Sequence, residues 1–87
     1  MLKLFLISQN INQDYDTFDS AVVVAKNENS ARKIHPNISV HKDWWKKPLD
    51  DYSSWVNSKD VEVQFIGNVE NPKLKNKQVV CASYNAG

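Results

Sequence analysis

Apolar residues in this chain come in short blocks rather than long stripes. Residues 2–8 and 21–25 are runs of aliphatic and β-branched side chains separated by a polar stretch rich in Asn, Asp and Gln. That pattern predicts two strands joined as an antiparallel hairpin. The Val22-Val23-Val24 triplet does not alternate, which predicts a central strand covered on both sides rather than an edge. Residues 61–67 alternate cleanly, placing Val61, Val63 and Phe65 toward a core and Glu62 and Gln64 toward water. Residues 78–83 form a last strand. It is expected to pair with 61–67 as a second hairpin across a Lys- and Asn-rich connection containing Pro72.

One helix is expected between the second and third strands. Asn27 has the side chain to cap the free N–H groups of a first turn, and Glu28 lies near the positive end of the helix dipole. Glu28 also stands four residues before Arg32, while Ala31 and Ile34 share a face that can pack on a sheet. Pro36 restricts His35, so the helix spans 28–34, only about two turns. A helix that short is marginal in water and depends on contact with the sheet. Residues 37–60 show no sustained period. Together these elements predict an α+β fold: an antiparallel sheet of about four strands in ββαββ order with one short helix on a face.

Composition narrows the function classes. Eighty-seven residues hold one domain, 1–87, with one small core and an irregular Trp/Lys-rich segment at 37–60. Eleven Lys and Arg against ten Asp and Glu leave a net charge of +1. This excludes a whole-molecule DNA mimic and a protein held on nucleic acid by bulk charge, so any charge-driven function is local. One Cys and two His leave no intrachain disulfide and no structural zinc framework. The N-terminal apolar run is too short for a secretory h-region or a bilayer span, and a cytoplasmic location with no membrane contact is expected. A reduced compartment also suits Cys81, expected inside the strand Val79-Val80-Cys81-Ala82 as a small hydrophobe.

Three stretches carry candidate chemistry. Asp14, Asp16 and Asp19 could supply oxygen ligands to a hard cation, but the stretch has no turn Gly and no closing Glu. The alternative is that its Asp and Asn residues cap turns, with Tyr15 and Phe18 covering the end of the sheet. The second stretch is Trp44-Trp45-Lys46-Lys47, followed by Trp55. Three readings stand side by side: Trp residues that complete a small core, anchors of a protein interface, or stacking platforms for nucleic acid with lysines on phosphates. Adjacent residues on a strand face opposite ways, so one of Trp44 and Trp45 is expected inside and the other outside. The third stretch, Lys73, Lys75 and Lys77, is expected on a hairpin tip to serve solubility and block edge pairing, with a phosphate contact as the alternative. Catalysis is not signalled. No His lies in a nucleophile–base pattern, two Gly residues build no phosphate loop, and burial would raise the Cys81 pKa. No cofactor or metal is expected.

The block of residues 14–23, then Ala31, Ile34-His35-Pro36, Trp55-Val56, Ile66-Gly67 and the ending Ala82-Ser83-Tyr84-Asn85-Ala86-Gly87, resembles a family of small phage and prophage proteins. The family has Tyr where Phe18 stands and Phe where Tyr84 stands, exchanges that keep an aromatic ring. Residues 37–54 fall outside the resemblance. It implies no catalytic residue. It implies an accessory protein in the cytoplasm of a bacterial host, binding and inhibiting a host protein such as a CRISPR-type defence effector. Under that reading Trp44, Trp45, Trp55, Lys46 and Lys47 are anchors, and Asp14, Tyr15, Asp16 and Asp19 form a second contact surface or mimic phosphates. The alternative is a module binding nucleic acid or a nucleotide signal through Trp stacking and lysines. A homodimer through an exposed sheet edge is also open.

Overall fold

A computed structural model describes residues 1–13, 15–37, 40, 43–46 and 54–85. Four strands, β1 (Lys3–Ser8), β2 (Thr17–Ala25), β3 (Glu62–Asn68) and β4 (Val79–Asn85), form one antiparallel sheet in the order β3-β1-β2-β4. A helix, α1 (Glu28–Arg32), packs against β1, β2 and β3, and 3-10 turns lie at Trp44–Lys46 and Ser58–Asp60. The fold is α+β with the element order expected.

The hairpin β1–β2 is the centre. Phe5 stands opposite Val23 and Ile7 opposite Ala21, and all four are buried on the face that carries α1. On the other face Leu4 pairs with Val24 and Leu6 with Val22. Val23 and Val24, neighbours pointing to opposite faces, are both fully buried, which explains why that stretch lacks alternation. β2 begins at Thr17, four residues before the apolar run. A register irregularity between Phe18 and Ser20 inserts Asp19 into the strand and breaks the period-2 signal.

The expected second hairpin does not form: β3 pairs with β1 and β4 with β2, on opposite edges. A β3–β4 hairpin would have left the outer backbone groups of β2 unpaired beside the most apolar strand of the chain. Backbone polar groups so placed need partners. Residues 69–78 instead pass across the end of the central pair. Val69 N–H donates to Leu2 C=O at 3.0 Å, Lys77 N–H to Val24 C=O at 2.8 Å, and Val24 N–H to Gln78 C=O at 2.9 Å.

Helix α1 is shorter than expected. Asn27 caps it as predicted, its side-chain oxygen accepting from Ser30 N–H at 2.8 Å. Its last turn tightens, with Lys33 N–H donating to Ser30 C=O and Ile34 N–H to Ala31 C=O. Ala31 and Ile34 still face the sheet and are buried. The Arg32 guanidinium donates to the backbone carbonyls of Val61 and, at 3.4 Å, Ser58, tying the helix to the start of β3. Trp44, Trp55, Val56 and Val61 complete the covered face. At the β3 edge the core thins: Phe65 meets Phe5 edge-to-face with centroids 5.9 Å apart, yet is 50% exposed. Trp55→Ala should therefore cost about 3–5 kcal/mol, a large share of the roughly 5–15 kcal/mol that holds a small domain folded. Phe65→Ala should cost only about 1–2 kcal/mol. Urea unfolding followed by far-UV circular dichroism checks the order, and equal losses would contradict this description of the core.

Candidate functional site

The structure separates the three tryptophans. Trp55 is 1% exposed and Trp44 8%, the latter with its indole N–H donating to Lys33 C=O at 2.9 Å. Both complete the core and are not available as surface anchors, which corrects the expectation for those two residues. The physical reason is area. A five-residue helix cannot cover a four-stranded sheet, and the large indoles supply the missing apolar surface. Trp45 is half-buried at the surface. The Lys33 ammonium lies 4.2 Å and the Lys46 ammonium 5.5 Å from its ring centroid.

His35 is the residue the sequence reading undervalued. Marked in the sequence only by its place between the helix and Pro36, it is buried at the centre of an aromatic cluster, with ring centroids 5.2 Å from Trp44, 6.4 Å from Trp55 and 6.5 Å from Phe18. Its Nδ1 accepts from Asn37 N–H at 3.0 Å. Burial lowers its pKa from 6.5 to about 4, so the ring is neutral at neutral pH. Proximity to Pro36 and to the tryptophans along the chain was the available signal. The contact with Phe18 on β2 was not readable.

Above this cluster lies a groove of about 530 Å³ between the end of α1, the Trp44–Lys46 turn and the start of β4. Lys33, Lys77 and Trp45 line it, together with Ser30 and Asn37. Asp43, also in the lining, is ion-paired with Lys46 at 3.5 Å. The groove thus presents two lysines and a half-exposed indole, with the one acidic group among its described lining residues already engaged by a third lysine.

The acidic stretch is organised by a different residue from those expected. The buried Gln9 amide donates to the carbonyls of Asn12 at 2.6 Å and Phe18 at 2.8 Å, and accepts from the N–H groups of Ile11 and Asn12. Phe18 does cover the end of the sheet, its ring 4.8 Å from that of Tyr84. Tyr15 does not: it is 74% exposed. Asp16, at φ 62°, accepts from the Tyr84 hydroxyl at 3.2 Å, and Asp19 accepts from Ser83 Oγ at 3.5 Å. Partial desolvation, then the hydrogen bond to and charge of Asp16, push the Tyr84 pKa up. Among the described residues no group of three or more His, Cys, Asp or Glu is placed to hold a metal ion. Asp14 and Lys47 lie outside the described residues, as does His41.

Cys81 is exposed, not buried as expected. It stands opposite Val22 on the face of the sheet away from α1, and β4 is an edge strand, so nothing among the described residues covers it. Among the described residues no helix is long and apolar enough to cross a membrane. No protein-family model, curated protein or solved structure matches the chain.

Because His35 binds no proton in the folded state until about pH 4 but does so near 6.5 when unfolded, the unfolded chain holds more protons between those values. Stability should be full above pH 6.5 and fall as pH drops toward 4, by on the order of 3 kcal/mol. His35→Phe should flatten that window while leaving the carboxylate losses at lower pH. Urea midpoints for both proteins at about pH 7 and about pH 4.5 test this. A pH dependence identical in the two would show that His35 is not buried as described.

Proposed function

We propose that this chain is a non-enzymatic accessory protein of a phage or prophage that binds and blocks a host protein in the bacterial cytoplasm. A CRISPR-type defence effector is a partner of the appropriate class. The phage assignment rests on the resemblance of residues 14–23 and of the chain's ending to small phage proteins. The binding mode rests on one observation: Trp45, half-buried beside a groove, with Lys33 and Lys46 over its ring and Lys77 in the same wall.

An aromatic ring framed by lysines is the make-up of an interface anchor that seats against an acidic patch of another protein. A nucleobase would have to displace the two ammonium groups already within cation–π range of the indole, which weakens the nucleic-acid reading. The buried Trp44 and Trp55 add nothing to a stacking platform. Asp16 and Asp19, at the far end of β4, would make a second contact of opposite sign.

Pull-down of host lysate with the tagged chain should recover a host protein in stoichiometric amount, unchanged by nuclease treatment. Trp45→Ala should leave the fold intact, since its neighbours form the core, and weaken capture by about thirtyfold or more. Recovery that disappears with nuclease, or a small-molecule ligand in place of a protein, would replace this reading with the nucleotide-binding one.

A further inference from the structure

We infer that the chain forms a two-fold dimer by antiparallel pairing of β4 with β4 of a second copy, giving one continuous eight-stranded sheet. The inference goes beyond the proposed function and does not rest on it. Its basis is the charge arrangement along one edge strand.

β4 is the outer strand of the sheet on the β2 side, and its seven residues, Val79 to Asn85, include no charged side chain and no Pro. Edge strands in monomers are normally blunted by inward charges, lysines or proline, because their outward N–H and C=O groups template pairing. The opposite edge is blunted by charge: β3 opens with the exposed Glu62, and Lys3 lies over its Phe65 ring at 6.0 Å, while register irregularities occur in both outer pairs and do not distinguish the two edges. The β4 edge has Val80 43% exposed and Tyr84 47% exposed, with Cys81, Ala82 and Ser83 exposed between them.

The charges sit at the two ends of β4 and differ in sign. Lys75 and Lys77 immediately precede the strand, Lys77 being held there by its backbone bond to Val24. At the other end Asp16 and Asp19 are held against Tyr84 and Ser83, and Asp16 N–H donates to Asn85 C=O. A parallel partner would stack like charges. An antiparallel partner related by a two-fold near Ala82 sets the lysines of each copy beside the aspartates of the other, twice. An uncharged middle with complementary ends makes the strand self-complementary in that orientation alone. Val80 of each copy then approaches Tyr84 of the other, the β-branched–aromatic combination that stabilises neighbouring strands.

Sedimentation equilibrium of the purified chain should give a mass near twice its 10.0 kDa, with a Kd on the order of 10 µM and weakening in high salt. Ala82→Lys brings like charges together at the axis and should raise Kd by at least about tenfold, whereas Ala82→Thr should not. In the unmodified chain, hydrogen exchange of the β4 amides should slow as concentration rises, a readout that needs no variant. Three results would overturn the inference: a monomeric mass up to about 1 mM, exchange at β4 independent of concentration, or a dimer indifferent to Ala82→Lys. The first would leave the edge to an extended segment of another protein.

Discussion

The central pair β1–β2 has one face that must be covered, and α1 is too short to cover it. Everything on that face follows from this mismatch. Five helical residues supply Ala31 and, just beyond, Ile34; the remaining cover comes from Trp44, Trp55 and Val56. Fixing bulky side chains that lie outside the main helix and the strands costs conformational entropy, so their attachment points have to be strong. His35 is the chief one. Its neutral ring contacts Phe18, Trp44 and Trp55, joining β2, the end of α1, the Trp44–Lys46 turn and the residues before Ser58–Asp60 in one cluster. Arg32 is another, clamping the helix to the carbonyls that lead into β3.

Covering one face with indoles takes two of the three tryptophans out of the surface. Of the three tryptophans only Trp45 reaches it, where the stems and ammonium groups of lysines surround it. The face of the sheet away from α1 carries the half-buried Leu4, Leu6 and Val22, the buried Val24 and the exposed Cys81, and the sheet ends on one side in an uncharged strand. The molecule therefore has a basic, aromatic corner and an acidic corner at opposite ends of β4. Around β4 the near-zero net charge is therefore a local separation, with Lys33, Lys75 and Lys77 at one end and Asp16 and Asp19 at the other.

Much of the fold was legible. Strand and helix identities followed from period and from the Asn27 cap, because those signals are local: alternation, β-branching and an N-cap oxygen act within a few residues. The β3–β4 pairing was misread because hairpin logic treats neighbours in sequence as neighbours in space. Here the unpaired outer edge of β2 outweighed proximity, and ten residues, 69–78, cross the sheet to satisfy it. Asp19 concealed the start of β2, since one inserted residue reverses the face of everything before it. The acidic stretch read as a set of turn caps, yet the buried Gln9 amide holds it, which a single Gln at a strand end does not announce.

The amino-acid sequence by itself determined the class of fold, the short capped helix, the central position of Val22 to Val24, the near-neutral charge and the two charged segments. These depend on residue type and local spacing. Only the tertiary structure decided which aromatic rings are core and which are surface, that His35 is buried and neutral, that Cys81 is exposed, and that β3 and β4 occupy opposite edges. Those outcomes turn on how much area each long-range contact buries and which backbone groups it satisfies. Neither quantity is written in any short stretch of the chain.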